Sequence, residues 1–451
     1  MASGKTRNWW TLPAHRLWLD TEASRLLRFG TTLDHPAGGA AWLDDRGNPD
    51  LDHPAHTYIT ARMAHVHFLA SLNGRPGSRR KADRVFGGLL STLRDARNGG
   101  WFESSADASS PEAVKSAYTH AFVVLAAAAA TAVGHPQGRE LLDEALDTVD
   151  ARFWDERYGM CCDTWTVDWT ELDPYRGINA NMHMVEAMLA AADAGAPEIW
   201  RERALRICDN VCRWAAANEW RVPEHFTDEW IPQLEYNRDD VTNQFKPYGA
   251  TVGHGFEWAR LLVQAEPFTD GPRDNDFVDA AASLYHRAAL DGWQPGPTPG
   301  FVYTTDWTGK PVVTNRLHWV LCEAIAAAAT LGRHTGEDRY GSDYREWWDV
   351  ADAYFIDRVD GSWHHELDVD NVPAATVWSG KPDLYHAVQA DMDQPICDGL
   401  EHGGGAADRC ALTRTVQECI TCKSSVQVPL CALYTLARHH TSKGRPWSSG
   451  I

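Results

Sequence analysis

Two stretches of the chain set a histidine and a glutamate three residues apart at the head of an apolar run. They are Asn179-Ala180-Asn181-Met182-His183-Met184-Val185-Glu186 and Gly253-His254-Gly255-Phe256-Glu257-Trp258. On a helix, residues three apart share a face, so each glutamate is expected one turn from its imidazole, where it can fix the ring's tautomer and orientation. Imidazoles held in this way exchange protons near pH 7. A capped helix with a hydrogen-bonded histidine would account for either stretch alone; the repetition favours chemistry. The same spacing can ligate a divalent ion, which leaves a metal-dependent reaction as a rival, but no metal is assigned.

Phosphoryl and hydride transfer find no support. The chain has no phosphate loop, dinucleotide fingerprint or nucleophile elbow, and Gly403-Gly404-Gly405 stands outside the repeats described next. No cofactor is expected. A glycoside hydrolase would need two carboxylates facing each other across a cleft, whereas here the carboxylates come paired with histidines.

The elements that must position these residues recur along the chain. A short hairpin-like stretch rich in glycine and aromatic residues is followed by a loop, an apolar helix and a second, amphipathic helix. Trp42, Trp101, Met160, Phe226, Phe301 and Trp363 mark six such hairpins, at steps of 59, 59, 66, 75 and 62 residues. The pattern predicts helices over 12–30, 55–72, 79–95, 113–133, 138–153, 180–194, 198–218, 253–266, 275–290, 315–332, 340–356 and 377–390. Six helix pairs with a hairpin in each crossover predict an all-α fold, an (α/α)6 barrel in which six inner helices ring a funnel and six outer ones cover them. The inner helices are those after the hairpins, apolar nearly all round, as in Ala121-Phe122-Val123-Val124-Leu125. The others carry a polar face such as Arg201-Glu202-Arg203-Ala204-Leu205-Arg206. His120, His183, His254, His318 and His386 then stand near the starts of inner helices two to six, and the first carries His56, Tyr58 and Arg62. One imidazole per repeat at one mouth converges on the funnel, with His120 and His318 expected behind the others.

Composition limits the partners. The 451 residues are 44% hydrophobic, enough for a large core, and a formal net charge of −20 argues against nucleic acid or an anionic membrane. The most apolar run, Ala121 to Val133, falls well short of the roughly 20 residues that a membrane span needs. Residues Met1 to Trp10 lack the apolar segment of a signal peptide, so a cytoplasmic protein is expected. Cys161, Cys162, Cys208, Cys212 and Cys322 sit in apolar contexts, as reduced core thiols do. The 21 tryptophans include faces that could pack on the C–H face of a sugar, though most must be core. A small neutral solute is compatible with all of this; oligomeric state is not set by it.

Further motifs recur in order at the inner-helix starts. Pro247-Tyr248-Gly249 precedes Gly253-His254, Arg316-Leu317-His318-Trp319 is followed by Glu323-Ala324, and the last is Gly380-Lys381-Pro382-Asp383-Leu384-Tyr385-His386. In these the chain resembles, over residues 15–390, the N-acylglucosamine 2-epimerase superfamily and, within it, the mannose isomerase and sulfoquinovose isomerase branch. The resemblance implies metal-free interconversion of an aldose and its ketose, or of C2 epimers, through an enediol. D-mannose to D-fructose is the expected reaction. An N-acylglucosamine-type 2-epimerase and a sulfoquinovose isomerase stay open, as does a non-catalytic sugar-binding protein, which would keep Arg62 and the tryptophans but needs no converging imidazoles. By the same resemblance His386 would move the proton between C2 and C1. His254, oriented by Glu257, would serve the sugar oxygens, and His183 would assist ring opening. Arg62, Tyr118, Asn179, Trp319, Glu186, Lys246 and His318 would bind the substrate.

After Ala390 the composition breaks. Residues 391–451 hold five of the ten cysteines, Cys397, Cys410, Cys419, Cys422 and Cys431, but of the 21 tryptophans only Trp447. Cys419 and Cys422 with His402, His439 and His440 could hold zinc, but a poorly ordered segment of altered reading frame, not native to the fold, is the expectation. The chain thus divides into a barrel over 1–390 that carries the site and a Cys-rich tail over 391–451.

Overall fold

Alanine loses no side-chain entropy in a helix and lets neighbouring helices approach closely, so alanine-rich runs suit the inside of a helical ring. The computed structural model describes residues 8–392 apart from 31, 111 and 270–275. Among these residues it contains twelve α-helices. They are α1 (Pro13–Leu26), α2 (Thr57–Leu72), α3 (Ser78–Leu89), α4 (Ala117–Ala132), α5 (Gly138–Thr148) and α6 (Ile178–Asp193). Then follow α7 (Ile199–Ala217), α8 (Val252–Ala265), α9 (Phe277–Gly292), α10 (His318–Thr335), α11 (Asp338–Val350) and α12 (Tyr385–Met392). Each even-numbered helix touches the next, and α12 meets α2, so the inner ring closes. The odd-numbered helices pack outside it, α3 on α2 and so on round to α1 on α12.

Burial follows the expected division. In α4 every residue from 119 to 130 is buried, whereas α7 and α11 keep an exposed polar side. The (α/α)6 barrel read from the sequence is therefore the fold observed. No helix among the described residues is long and apolar enough to cross a membrane.

Short antiparallel pairs do two jobs. Some are local hairpins after an outer helix, such as Trp42–Leu43 with Pro49–Asp50 and Trp293–Gln294 with Gly300–Phe301. Others tie the residues just before an inner helix to the next repeat. Val114–Ser116 pairs with Thr164–Thr166 ahead of α4, Arg176–Gly177 with His225–Phe226 ahead of α6, Ala250–Thr251 with Thr304–Thr305 ahead of α8, and Arg316–Leu317 with Glu366–Leu367 ahead of α10. These ties explain why residues 114–116 and 316–317, expected to be helical, are extended instead: their backbone groups are committed across the repeat boundary.

The helix expected over 377–390 also starts later than expected. Residues 377–384 are not helical, and α12 begins at Tyr385. Pro382 disfavours the helical region for Lys381, and Lys381 is drawn down to Asp357 Oδ2 at 2.6 Å and the Gly361 carbonyl at 2.7 Å. Lys115 makes the equivalent reach ahead of α4, to Asp95 Oδ2 at 2.7 Å and the Gly99 carbonyl at 2.6 Å. Asp391 and Met392 continue α12 and are buried. The rest of the segment expected to form a separate tail, with its cysteines and histidines, lies outside the described residues.

Two predictions follow from this packing. Gly249, just ahead of the Ala250–Thr251 strand, has φ +92°, and a Cβ there would lie 2.1 Å from the Thr305 carbonyl oxygen. Gly249→Ala should therefore lower stability by about 1–3 kcal/mol, read as a lower urea midpoint. Burial also holds inner-ring imidazoles neutral: His65 is pushed down to about 4, and His67 and His120 to about 3. A base whose folded pKa lies below its unfolded value binds fewer protons when folded. Its contribution is intact above about pH 6.5 and is lost as pH falls towards the folded values, at up to about 1.4 kcal/mol per pH unit for each group. Denaturant midpoints measured from pH 7 down to pH 4.5 should fall steeply; a flat profile would contradict the burial of these rings.

Candidate active site

The starts of the inner helices open on one pocket. Nine residues singled out from the sequence line it: Arg62, Tyr118, Asn179, His183, His254, Glu257, His318, Trp319 and His386. It offers about 70 Å³ of free volume and shares Tyr118, Asn179, Gln244, Phe245 and Trp378 with an outer cavity of about 680 Å³.

His254 and His386 flank the Trp319 indole, with ring centroids 5.4 and 5.8 Å from it. The indole can lie there because residue 253 is glycine; a Cβ at that position would come within 2.2 Å of the Trp319 ring. Each imidazole is held through Nδ1 by a carboxylate of its own. His254 Nδ1 donates to Glu224 Oε2 at 2.8 Å, and His386 Nδ1 donates to Glu323 Oε1 at 3.0 Å. Glu224 is itself fixed by the backbone N–H of Thr251 at 3.3 Å. In both rings Nε2 is the nitrogen left for a ligand.

Glu257 is not the partner of His254, as the i, i+3 spacing had suggested. Three residues advance a helix by about 4.5 Å, which carries Glu257 from the rim into the barrel interior, where it meets His183 and Arg260. Glu257 Oε1 lies 3.7 Å from His183 Nδ1 and 3.7 Å from Arg260 Nη2. Arg260 Nε donates to Glu323 Oε2 at 2.9 Å, which links this layer to His386. Burial, then the neighbouring Glu323 charge, raises the Glu257 carboxyl well above the usual range despite Arg260. Burial would also raise Glu323, but Arg260 and His386 on its two oxygens hold it below the usual range.

Glu186, expected to bind substrate, lies behind the pocket wall. Its carboxylate accepts from the Tyr385 hydroxyl and from Gln389 Nε2, and Oε2 stands 3.6 Å from His183 Nδ1. Burial drives the His183 ring down to about 4, with Glu186 opposing, so the imidazole is neutral near pH 7.

The opposite wall is built on Arg62. Its guanidinium donates to Asp383 Oδ2 at 3.1 Å and to the Tyr118 hydroxyl at 2.8 Å, with its carbon 4.3 Å from the Phe122 ring centroid. Burial raises the Tyr118 phenol to about 12, leaving it a neutral donor. His318 stacks on His365 with centroids 3.8 Å apart. Burial presses His318 down to about 3 and His365 well below its ordinary value, so this pair is uncharged. His120 does not reach the pocket: Nδ1 bonds the Ser116 carbonyl at 2.7 Å and Nε2 accepts from the Trp101 N–H at 3.1 Å. Lys246 also fails to reach it. Its ammonium sits 3.8 Å over the Tyr175 ring in the outer cavity.

Several residues at the site were missed in the sequence. Glu224 and Glu323 lie 30 and 63 positions from the histidines they hold, and no local spacing pairs them. His365 was visible only as one of two adjacent histidines in the last hairpin. Phe245 and Trp378, whose rings meet edge to face at 5.5 Å, come from two loops joined by Gln244 Nε2 donating to the Val377 carbonyl at 3.4 Å.

The profile of the N-acylglucosamine 2-epimerase (GlcNAc 2-epimerase) family matches residues 38–390. A D-mannose isomerase of Thermobifida fusca is 49% identical over 385 residues, which span 85% of this chain and 94% of that protein. A D-mannose isomerase of Pseudomonas cannabina pv. alisalensis is 43% identical over 391 residues, with 85% and 94% covered. The crystal structure of a D-mannose isomerase superposes with a TM-score of 0.77 at 26% identity, covering 84% of this chain and 98% of the other. The match runs from the first hairpin through the helix that carries His386, and with relatives identical at nearly half their aligned positions the chain belongs to the N-acylglucosamine 2-epimerase family.

Proposed function

We propose that the protein is an aldose–ketose isomerase that converts D-mannose to D-fructose and back by proton transfer through an enediol. The observation that supports this most is the pairing of two imidazoles, each with Nδ1 on its own carboxylate, on either side of the Trp319 indole. The D-mannose isomerases that resemble the chain along nearly their whole length supply the substrate. A sugar C–H face packs on the indole, which leaves its reacting edge to the two Nε2 atoms.

In this reading His386 Nε2 takes the C2 proton of the open-chain aldose, and the C2 electron pair forms the C1–C2 double bond while the C1 carbonyl becomes an enediol oxygen. His254 enters the cycle as the imidazolium, with Nδ1–H on Glu224, so that Nε2 delivers its proton to O1 and then recovers one from O2. His386 returns its proton to C1, and C2 becomes the ketose carbonyl. Glu323 and Glu224 stabilise the imidazolium that each ring becomes in turn, a charge-assisted contact stronger than a neutral one. His183, neutral and next to Glu257, serves ring opening. Arg62 and Tyr118 donate to the sugar oxygens, and Asn179 and His318 complete the wall. Glu186 acts only through His183, and Lys246 takes no part in the inner pocket.

His386→Ala and His254→Ala should each lower kcat for ketose formation by about 10²–10⁴-fold with a smaller change in KM. Glu323→Gln and Glu224→Gln keep the shape and remove the charge. Each should cost about 10-fold to 10²-fold, in line with a charged hydrogen bond of about 1.5–3 kcal/mol. Equal rates in the histidine variants and the native protein would remove the assignment.

Solvent exchange tests the chemistry. In D2O the ketose should carry deuterium at C1 after prolonged equilibration, and turnover should survive exhaustive chelation. Transfer of the C2 hydrogen without any exchange, together with loss of activity on chelation, would point to a hydride shift on a metal instead.

A further inference from the structure

Beneath the pocket, His183 Nδ1 and Glu257 Oε1 are both buried without a hydrogen-bond partner, 3.7 Å apart. Glu186 Oε2 stands 3.6 Å from the same nitrogen, and one donor atom from each of the three residues lies within 4.8 Å of the others. A four-coordinate ion with bonds of about 2.0–2.1 Å sets its ligand atoms about 3.4 Å apart. The two gaps to His183 Nδ1 are too long for hydrogen bonds and near the edge of such a tetrahedron. We propose that His183, Glu186 and Glu257 form a binding site for a borderline divalent transition-metal ion such as Zn²⁺ or Co²⁺, and that an ion there inhibits the enzyme. The inhibition rests on the isomerase reading above; the binding does not.

One imidazole and two carboxylates make a donor set that suits such ions, and three protein ligands leave a fourth position open. That position faces the pocket, because His183 and Glu257 line it. Glu186 is already held from behind by Tyr385 and Gln389, as outer partners hold a ligating carboxylate. The charges around the site also leave room for a dication. Three carboxylates, Glu186, Glu323 and Asp383, face two guanidiniums, Arg62 and Arg260, and Glu257, whose carboxyl is raised above the usual range, would ligate by releasing its proton. Arg260 Nη2 opposes the ion most directly, at 3.7 Å from Glu257 Oε1, but this is a long contact, and Nε keeps its bond to Glu323. A bound ion would occupy the lone pair of His183 and lock Glu257, so ring opening would stop. Mg²⁺, which demands six oxygen-rich ligands, fits poorly.

The test is a Co²⁺ titration of the full chain after chelation, followed by visible absorption. The expected result is one bound ion with the d–d bands of four-coordinate cobalt and no thiolate charge-transfer band, which separates this site from the cysteines. Glu257→Gln and Glu186→Gln should each weaken binding by more than the about 10–100-fold that loss of an outer partner costs. If a variant does not fold, anomalous diffraction at the cobalt edge from Co²⁺-soaked native crystals locates the ion directly. Turnover should fall with Zn²⁺ or Co²⁺, recover on chelation and be indifferent to Mg²⁺. Absence of the d–d bands, a thiolate band, an ion found elsewhere, or binding untouched in both folded variants would each overturn the site. Cobalt seated at the three residues with turnover unchanged would overturn the inhibition alone. A protein that binds cobalt there but never forms ketose would sink the isomerase reading and leave the site standing.

Discussion

Arg260 and Glu323, paired under the pocket with hardly any exposure to solvent, are the constraint on which the rest of the site depends. Removing either charge from water costs several kcal/mol, so neither is tolerable at that depth without the other. Once both are present, their neighbours are no longer free to choose a protonation state. Glu323 is gripped by Arg260 on one oxygen and by His386 on the other, and stays ionised. Glu257, buried beside that negative charge, is pushed the other way, well above the usual carboxylate range. Two carboxyl groups at one level of the barrel are thus pushed in opposite directions, one below and one above the usual range, which is the kind of separation that acid–base sites require.

Precision at the rim comes from the backbone. The strands ahead of α4, α6, α8 and α10 tie those helices to the following repeat and fix where they begin, and the pocket's imidazoles sit within the first two turns of their helices. A side chain placed on the first turn of a packed helix has little room to wander. Lys115 and Lys381 apply the same idea from below. Each anchors the approach to its helix in a glycine-bearing turn, so the start of α4 is held at its strand and again at the turn, and the start of α12 is held at the turn.

The architecture was legible in the sequence because it repeats. Six aromatic markers and an alternation of apolar and amphipathic helices carry the ring, and burial of α4 on all sides matches its run of alanines. The helix starts were less legible wherever a non-local tie competes with helix propensity, as at residues 114–116 and 316–317, or where Pro382 and the buried Lys381 delay α12. At the site, His183, His254 and His386 could be named because residue type and repeat position select them. Their partners could not. Helical spacing suggested Glu257 for His254, yet a ring at the rim and a carboxylate one turn deeper face different layers, and Glu224 arrives from just ahead of the His225–Phe226 strand instead. Lys246 shows the converse: a lysine near the histidine motif in sequence, turned over Tyr175 on the far side of the Phe245–Trp378 contact.

The closure of the inner ring between α2 and α12 also bears on how the chain reaches this state. Arg62 of α2 meets Asp383, just ahead of α12, across 321 positions of sequence. Contacts this distant are the slowest to form, since the intervening chain must be ordered before they reward it. On the ribosome α2 emerges early and would present an apolar flank with no neighbour until α12 is made, a period in which it is open to wrong partners. His386 rides on that same last helix, so the pocket and the seam are completed together, and a partly synthesised barrel has no competent centre to misuse.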